Sequence, residues 1–185
     1  MALTPSNMLP LGTLAPPFHL QDAITGNCIS LDDVKGSKGL VVYFICNHCP
    51  YVIHVNQTLV AVAKKFQSRG MGFVAISSND IERYPQDRPE LMKEVALREG
   101  YCFPYLYDAS QDVAKAYDAA CTPDIYLFDA SLKLAYRGQL DDSRPGNGKQ
   151  SNGSDIIKAL EAVLAGKPPD LLQRPSAGCN IKWKS

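Results

Sequence analysis

The sequence predicts an α/β fold in which a mixed sheet is flanked by helices. Three observations predict it: two continuous apolar, β-rich runs at residues 39–45 and 72–77, a stretch of helical spacing between them, and a late pair of strand-like segments close enough to form a hairpin. With 185 residues, 45% of them hydrophobic, the chain can bury one sizeable core and is short for two. We therefore expect one domain over residues 1–185, with its core at about 12–166 and a docking tail at 167–185.

The elements follow in order. Residues 18–21 and 27–31 flank a turn-rich Asp22-Ala-Ile-Thr-Gly26 and read as an N-terminal β-hairpin. Residues 39–45 are β-branched, aromatic and uninterrupted, as a central strand buried on both faces requires. From Pro50 the period changes: Val52, Val55, Leu59, Val62 and Phe66 recur every three or four residues, and Arg69-Gly70 supplies a stop, so a long helix follows. A second core strand at 72–77 leads into a loop over 78–87 and a helix near 89–99. A short strand at 105–107, a short helix at 112–117 and a strand at 124–129 introduced by Pro123 come next, and residues 133–140 can pair with the last of these. Gly, Asn, Ser and Pro mark 141–154 as a surface loop. Ile156, Ile157, Leu160, Val163 and Leu164 then define a final helix stopped by Gly166 and Pro168. The tail has little periodicity but holds Cys179 and the single tryptophan, Trp183, and looks built to dock.

Composition excludes several function classes. Lys plus Arg and Asp plus Glu each total 19, so no net field draws nucleic acid or an anionic membrane, and neither is expected as a partner. No Lys or Arg precedes Lys35, and four prolines interrupt the first 18 residues, a pattern unlike a secretory signal. The longest apolar run, residues 40–46, is far shorter than the roughly 18 residues that span a bilayer. A cytoplasmic protein is the expectation. Six cysteines are too sparse for a disulfide scaffold, so in reducing cytosol paired cysteines suggest chemistry.

The chemistry centres on Cys46-Asn-His-Cys-Pro50. Disulfide exchange needs a thiolate to attack and a second thiol close by to resolve the mixed disulfide, and two intervening residues provide that. A helix start stabilises an anion, so Cys46 is expected to be the low-pKa thiol. Pro50 suits a first helical turn because its missing N–H would have no helical partner. His48, as a partly positive imidazole, is expected to stabilise the thiolate and tune the couple toward an oxidising poise. A CxxC is also half of a zinc cage, but no second CxxC or CxxH occurs and Cys102, Cys121 and Cys179 are scattered, so no metal is expected. Pro50 stands where a C-x-x-C-H haem attachment would need histidine. No cofactor is required.

These residues resemble the thioredoxin superfamily, in particular its redoxin branch related to alkyl hydroperoxide reductase and thiol-specific antioxidant proteins. The resemblance rests on the strand into C-N-H-C-P, the long helix after it, Thr122-Pro123 ahead of a hydrophobic strand, and Tyr136-Arg-Gly closing a hairpin. It implies a thioredoxin fold with an N-terminal hairpin and a central insertion, antioxidant or thiol-disulfide chemistry at Cys46 and Cys49, and partners that are protein or small-molecule disulfides plus an external thiol reductant. It also implies that Pro123 is cis and lies against the reactive cysteine, and that Thr122, with Asn47, contacts an extended substrate.

The sequence departs from the superfamily twice. Leu40 stands where thioredoxins carry a buried acid, leaving the base for Cys49 unassigned. Peroxiredoxins frame their cysteine as P-x-x-x-T/S-x-x-C, and with Cys49 in that role the frame here holds Val42 and Cys46. A thiol-disulfide oxidoreductase is therefore the leading reading. A thiol-dependent peroxidase is the alternative, and a non-catalytic thioredoxin-like binding module, with a metal on Cys46 and Cys49, the second. Cys121 and Cys179 read first as buried, structural thiols, with an accessory role, Cys179 pairing with Cys121 or relaying electrons to Cys46, as the alternative. Cys28 and Cys102 are assigned to packing, Asp141 and Asp142 to a solvated loop start with Arg137 as a possible partner, and Ser78-Asn79-Asp80 to an ordinary turn.

Overall fold

Residues 39–44 alternate their side chains between two apolar layers, and that alternation organises the molecule. In the computed structural model, which describes residues 3–185, strand β4 (Gly39–Phe44) is buried along its whole length. Val41 and Tyr43 enter one core and Leu40, Val42 and Phe44 the other, as the two-residue period of a strand demands. Around it a seven-stranded mixed sheet forms from β2 (His19–Asp22), β3 (Cys28–Ser30), β5 (Met71–Ser77), β6 (Tyr105–Tyr107), β8 (Asp124–Asp129) and β9 (Leu134–Arg137), in the order β3-β2-β6-β5-β4-β8-β9. The pairs β4–β5 and β5–β6 are parallel, whereas β4–β8 and β8–β9 are antiparallel.

The expected elements lie where the periodicity puts them. The hairpin is β2–β3, and it does not stand apart: Gln21 and Asp22 pair with Tyr107 and Leu106 of β6, so the hairpin and the central insertion together build one edge of the main sheet. Helix α1 (Leu31–Val34) opens on a capping box in which Ser30 and Asp33 satisfy each other's backbone N–H groups. Helix α2 (Pro50–Gln67) begins on proline and buries Val52, Val55, Leu59, Val62 and Phe66. Helix α3 (Pro89–Glu99) also starts on proline and ends at Gly100, which is left-handed at φ 72° as a helix C-terminus favours. Helices α4 (Asp112–Ala116) and α5 (Ser154–Leu164) complete the set.

A second, three-stranded sheet was not anticipated. It joins β1 (Leu3–Pro5), β10 (Ala177–Asn180) and β7 (Cys121–Thr122) in the order β1-β10-β7, all antiparallel. Segments this short carry too few residues to show a period, which is why they do not register in the sequence. Their effect is large: the C-terminal tail is laid directly beside Thr122. Gly178 makes this contact possible, since a Cβ there would lie 2.0 Å from the Thr122 carbonyl oxygen.

Three smaller expectations are corrected. Asp141 is not solvated: it is buried and accepts hydrogen bonds from Ser143, Ser151, Asn152 and Gly153, tying the 141–154 loop together. Arg137 pairs with neither acid; its backbone N–H binds the Gln173 side chain. Cys28 is exposed rather than packed. Among the described residues, no helix is long and apolar enough to cross a membrane.

Candidate active site

The site forms where β4 ends and α2 begins. Helix α2 has Cys49, not Cys46, as its N-cap, so Cys46 sits three residues ahead of that cap, in the connecting loop. Both sulfurs are nearly inaccessible, at 2% exposure for Cys46 and 0% for Cys49. The two thiols are near enough for each to shift the other's ionisation. Thr122 joins them to the start of β8: its hydroxyl lies 3.5 Å from Cys46 Sγ and its carbonyl accepts from Cys49 Sγ at 3.1 Å. The Thr122–Pro123 bond is cis.

The charge balance of the pair is the reverse of the sequence expectation. The proximity of Cys49, burial and the nearby Asp87 carboxylate hold the Cys46 thiol well above its ordinary range. The same proximity, from the other side, draws Cys49 down to about 5 against its burial, helped by Cys179, Thr122 and the Val52 backbone N–H. The physical reason is position: the helix start serves Cys49, its N-cap, while Cys46 faces an anion.

His48 is likewise diverted. Its Nδ1 lies 2.7 Å from Asp87 Oδ2 and 4.0 Å from Cys46 Sγ, so the ring nitrogen nearest the sulfur is bound to the carboxylate. The imidazole also stacks on Tyr84 with its ring plane 7° from parallel, and its side chain is 16% exposed. Asp87, at 0% exposure, accepts from the Asn47 backbone at 2.8 Å and from the Asn79 amide at 2.8 Å as well. Asn47, expected to contact substrate, spends its side chain internally: it donates to the Gln86 carbonyl and accepts from the Tyr105 hydroxyl. It braces the motif against the loop instead.

Among the described residues, Cys46, His48 and Asp87 each offer a ligand atom, all within 4.8 Å of one another, as a group that could hold a metal ion. The 2.7 Å His48–Asp87 separation is a hydrogen-bond length, whereas two ligands about 2.0 Å from one tetrahedral zinc lie roughly 3.3 Å apart. Both Asp87 oxygens are also already engaged by N–H donors.

The accessory thiols divide. Cys121 is buried and donates to the Pro123 carbonyl at 3.5 Å. Cys179, buried on β10 opposite Thr122, lies next to Cys49, and each shifts the other's ionisation. The edge of Thr122, expected to receive a substrate strand, is thus covered by the chain's own tail. Sequence reasoning missed Tyr84 and Asp87, which lie in the 78–87 loop, and set aside Asn79 as part of an ordinary turn. Pro85 and Pro89 mark that loop as rigid, but nothing local marks its acid as part of the site.

The sheet order and the paired thiols at the start of α2 define a thioredoxin-like redox protein. The model of the AhpC/TSA family matches residues 11–137, and the chain belongs to that family. Among solved structures, it is similar over its whole length to an uncharacterised conserved protein from Geobacillus kaustophilus, at 58% identity and a TM-score of 0.97, with 97% of that chain covered. A hypothetical protein from Sinorhizobium meliloti matches 98% of this chain and 99% of its own at 48% identity and a TM-score of 0.96. The thioredoxin domain of a thiol-disulfide oxidoreductase from Bacteroides vulgatus shares the fold at 22% identity and a TM-score of 0.63, over 81% of this chain and 97% of that one. No curated protein matches.

Proposed function

We propose that the protein is a thiol-disulfide oxidoreductase that works by dithiol-disulfide exchange at Cys46 and Cys49. The observation that carries this reading is the buried pair of thiols at the mouth of α2, both contacting Thr122 ahead of the cis Pro123, with Cys46 raised and Cys49 lowered from the ordinary thiol range. Cys46 is the exchange thiol, because it stands in the loop ahead of α2, whereas Cys49 is the fully buried N-cap of that helix. Cys49, drawn toward its thiolate, is then the base that the sequence left unassigned: once it has given up the proton it shares with the Thr122 carbonyl, it can take that of Cys46. The Cys46 thiolate attacks one sulfur of a substrate disulfide, the substrate S–S bond breaks, and the other sulfur leaves as a thiolate. Cys49 attacks Cys46 of the mixed disulfide, its proton passing to the departing substrate sulfur, and the Cys46–Cys49 disulfide forms. The substrates are protein or small-molecule disulfides, and an external thiol reductant resets the pair.

Replacing Cys46 by Ser is expected to abolish disulfide reduction, and Cys49→Ser to accumulate the mixed disulfide on Cys46, read by non-reducing gel and mass spectrometry. Full reduction by the Cys46→Ser protein overturns the mechanism. The family match favours one second reading, a thiol-dependent peroxidase in which Cys49 is oxidised to a sulfenic acid and Cys46 condenses with it. Stopped-flow peroxide consumption separates the two, since fast single-turnover consumption belongs only to the peroxidase.

A further inference from the structure

The redox pair has a third sulfur against it. Cys179 lies beside Cys49, each shifting the other's ionisation, and three features of the strand hold it there. Strand β10 pairs in register with β7, placing Cys179 across from Thr122, whose carbonyl already receives Cys49. Gly178 lets the strand press against that carbonyl with no room for a side chain. On the far side β1 pairs with β10, with Leu3 opposite Cys179, so the strand is held from both edges.

We propose that Cys179 is a third redox thiol, which takes over the disulfide by exchange at Cys49. The inference rests on the dithiol reading and deepens it. Starting from the Cys46–Cys49 disulfide, the Cys179 thiolate attacks Cys49 Sγ. The Cys46–Cys49 bond breaks, the Cys49–Cys179 bond forms, and Cys46 leaves as a thiolate that takes up the proton Cys179 gave away. Electrons balance within the three sulfurs, and no outside oxidant is consumed. The product has two properties: the tail strand is tied covalently to the start of α2, and Cys46 is again a thiol but lacks its resolving partner. The exchange therefore parks an oxidised molecule in a monothiol state.

The test uses the full chain and oxidised glutathione. In a Cys46→Ser variant, glutathione first forms a mixed disulfide on Cys49, and Cys179 then displaces it. Juxtaposed groups react with effective concentrations far above the millimolar glutathione in the tube, so the Cys49–Cys179 disulfide should exceed the glutathione adduct by at least about tenfold. A stable adduct on Cys49 with Cys179 still open to alkylation after unfolding overturns the proposal. Wild-type protein provides a second measurement should the variant fold poorly. Oxidised with one equivalent of glutathione disulfide, acid-quenched and mapped without reduction, it should yield both Cys46–Cys49 and Cys49–Cys179 peptides. Recovery of Cys46–Cys49 alone defeats the third thiol and leaves the dithiol reading standing. Recovery of neither defeats both.

Discussion

The two cysteines of one short motif face different neighbourhoods. Cys46 looks onto an ionic one supplied by the 78–88 insertion: Asp87, His48 and the stacked Tyr84, with Asn79 and Asn47 fixing the carboxylate. Cys49 looks onto sulfur and backbone supplied by the tail and by Thr122: the Cys179 thiol, the Thr122 carbonyl and the start of α2. The difference separates two jobs. The ionic side decides which sulfur keeps the shared proton, and the thiol side decides where a disulfide can move. Both neighbourhoods come from outside the central strands, so the reactive pair is common scaffold and its behaviour is set by what is packed on either flank.

Asp87 offers the largest effect. Asp87→Ala leaves buried donors on Asn47, Asn79 and His48 without an acceptor, at about 1–3 kcal/mol each, so a loss of several kcal/mol is expected in urea unfolding. Asp87→Asn keeps much of the shape and removes the charge. In it the Cys46 titration should move down and the Cys49 midpoint, about 5 in the wild type, should move up, because the two share one proton, as read by thiolate absorbance. The wild-type sign follows from the same shifts. Cys49 is lowered, so the reduced protein gains stability as pH rises from about 5 toward the ordinary thiol value of 9.0, and loses it on acidification through 5. Cys46 is raised, so stability declines again above 9.0. Both slopes should vanish once the Cys46–Cys49 disulfide forms, and a pH profile unchanged by oxidation would break the assignment.

Gly178→Ala strikes the other flank. Its Cβ would meet the Thr122 carbonyl at 2.0 Å, and because that atom is backbone, β10 must withdraw. Overpacking of this kind costs about 1–3 kcal/mol. The sharper readout is chemical: the Cys49–Cys179 disulfide should fall severalfold relative to Cys46–Cys49 in the mapped wild-type background, while the Cys46 titration holds. A shift in the Cys46 titration as large as that from Asp87→Asn would show that the two neighbourhoods are not separate.

What the sequence showed and what it hid divide along the same line. The central sheet, α2 and the late hairpin were legible because burial imposes a period, and residues 39–44, 50–67 and 124–129 are long enough to display one. The C-N-H-C-P motif was legible because its spacing is itself chemical. The roles within it were not, since they depend on partners tens of residues away: Asp87 lies 39 residues from His48, and Thr122 lies 73 from Cys49. Cys179 stood out beside a glycine and near the tryptophan, yet only the pairing of β10 with β7 reveals which sulfur it meets.

Lys182 gives the smallest expected effect and the finest test, because it touches both flanks. Its ammonium lies 5.5 Å from the centre of the Tyr84 ring on the ionic side, and it donates to the carbonyl and side chain of Asn180, next to Cys179, at 2.9 and 2.8 Å. Burial and the nearby Cys49 hold Cys179 up at about 12, and the Lys182 charge opposes that rise. In Lys182→Met the lost cation–π contact is worth only about 0.5–1 kcal/mol, so folding should be nearly unchanged. Cys179 should titrate higher, and exchange from Cys46–Cys49 to Cys49–Cys179 should slow severalfold because less attacking thiolate is present. The Cys46 and Cys49 midpoints should not move. If they move while the exchange rate holds, Lys182 acts through Tyr84 and His48, and the boundary between the two flanks lies on the β10 side of this residue.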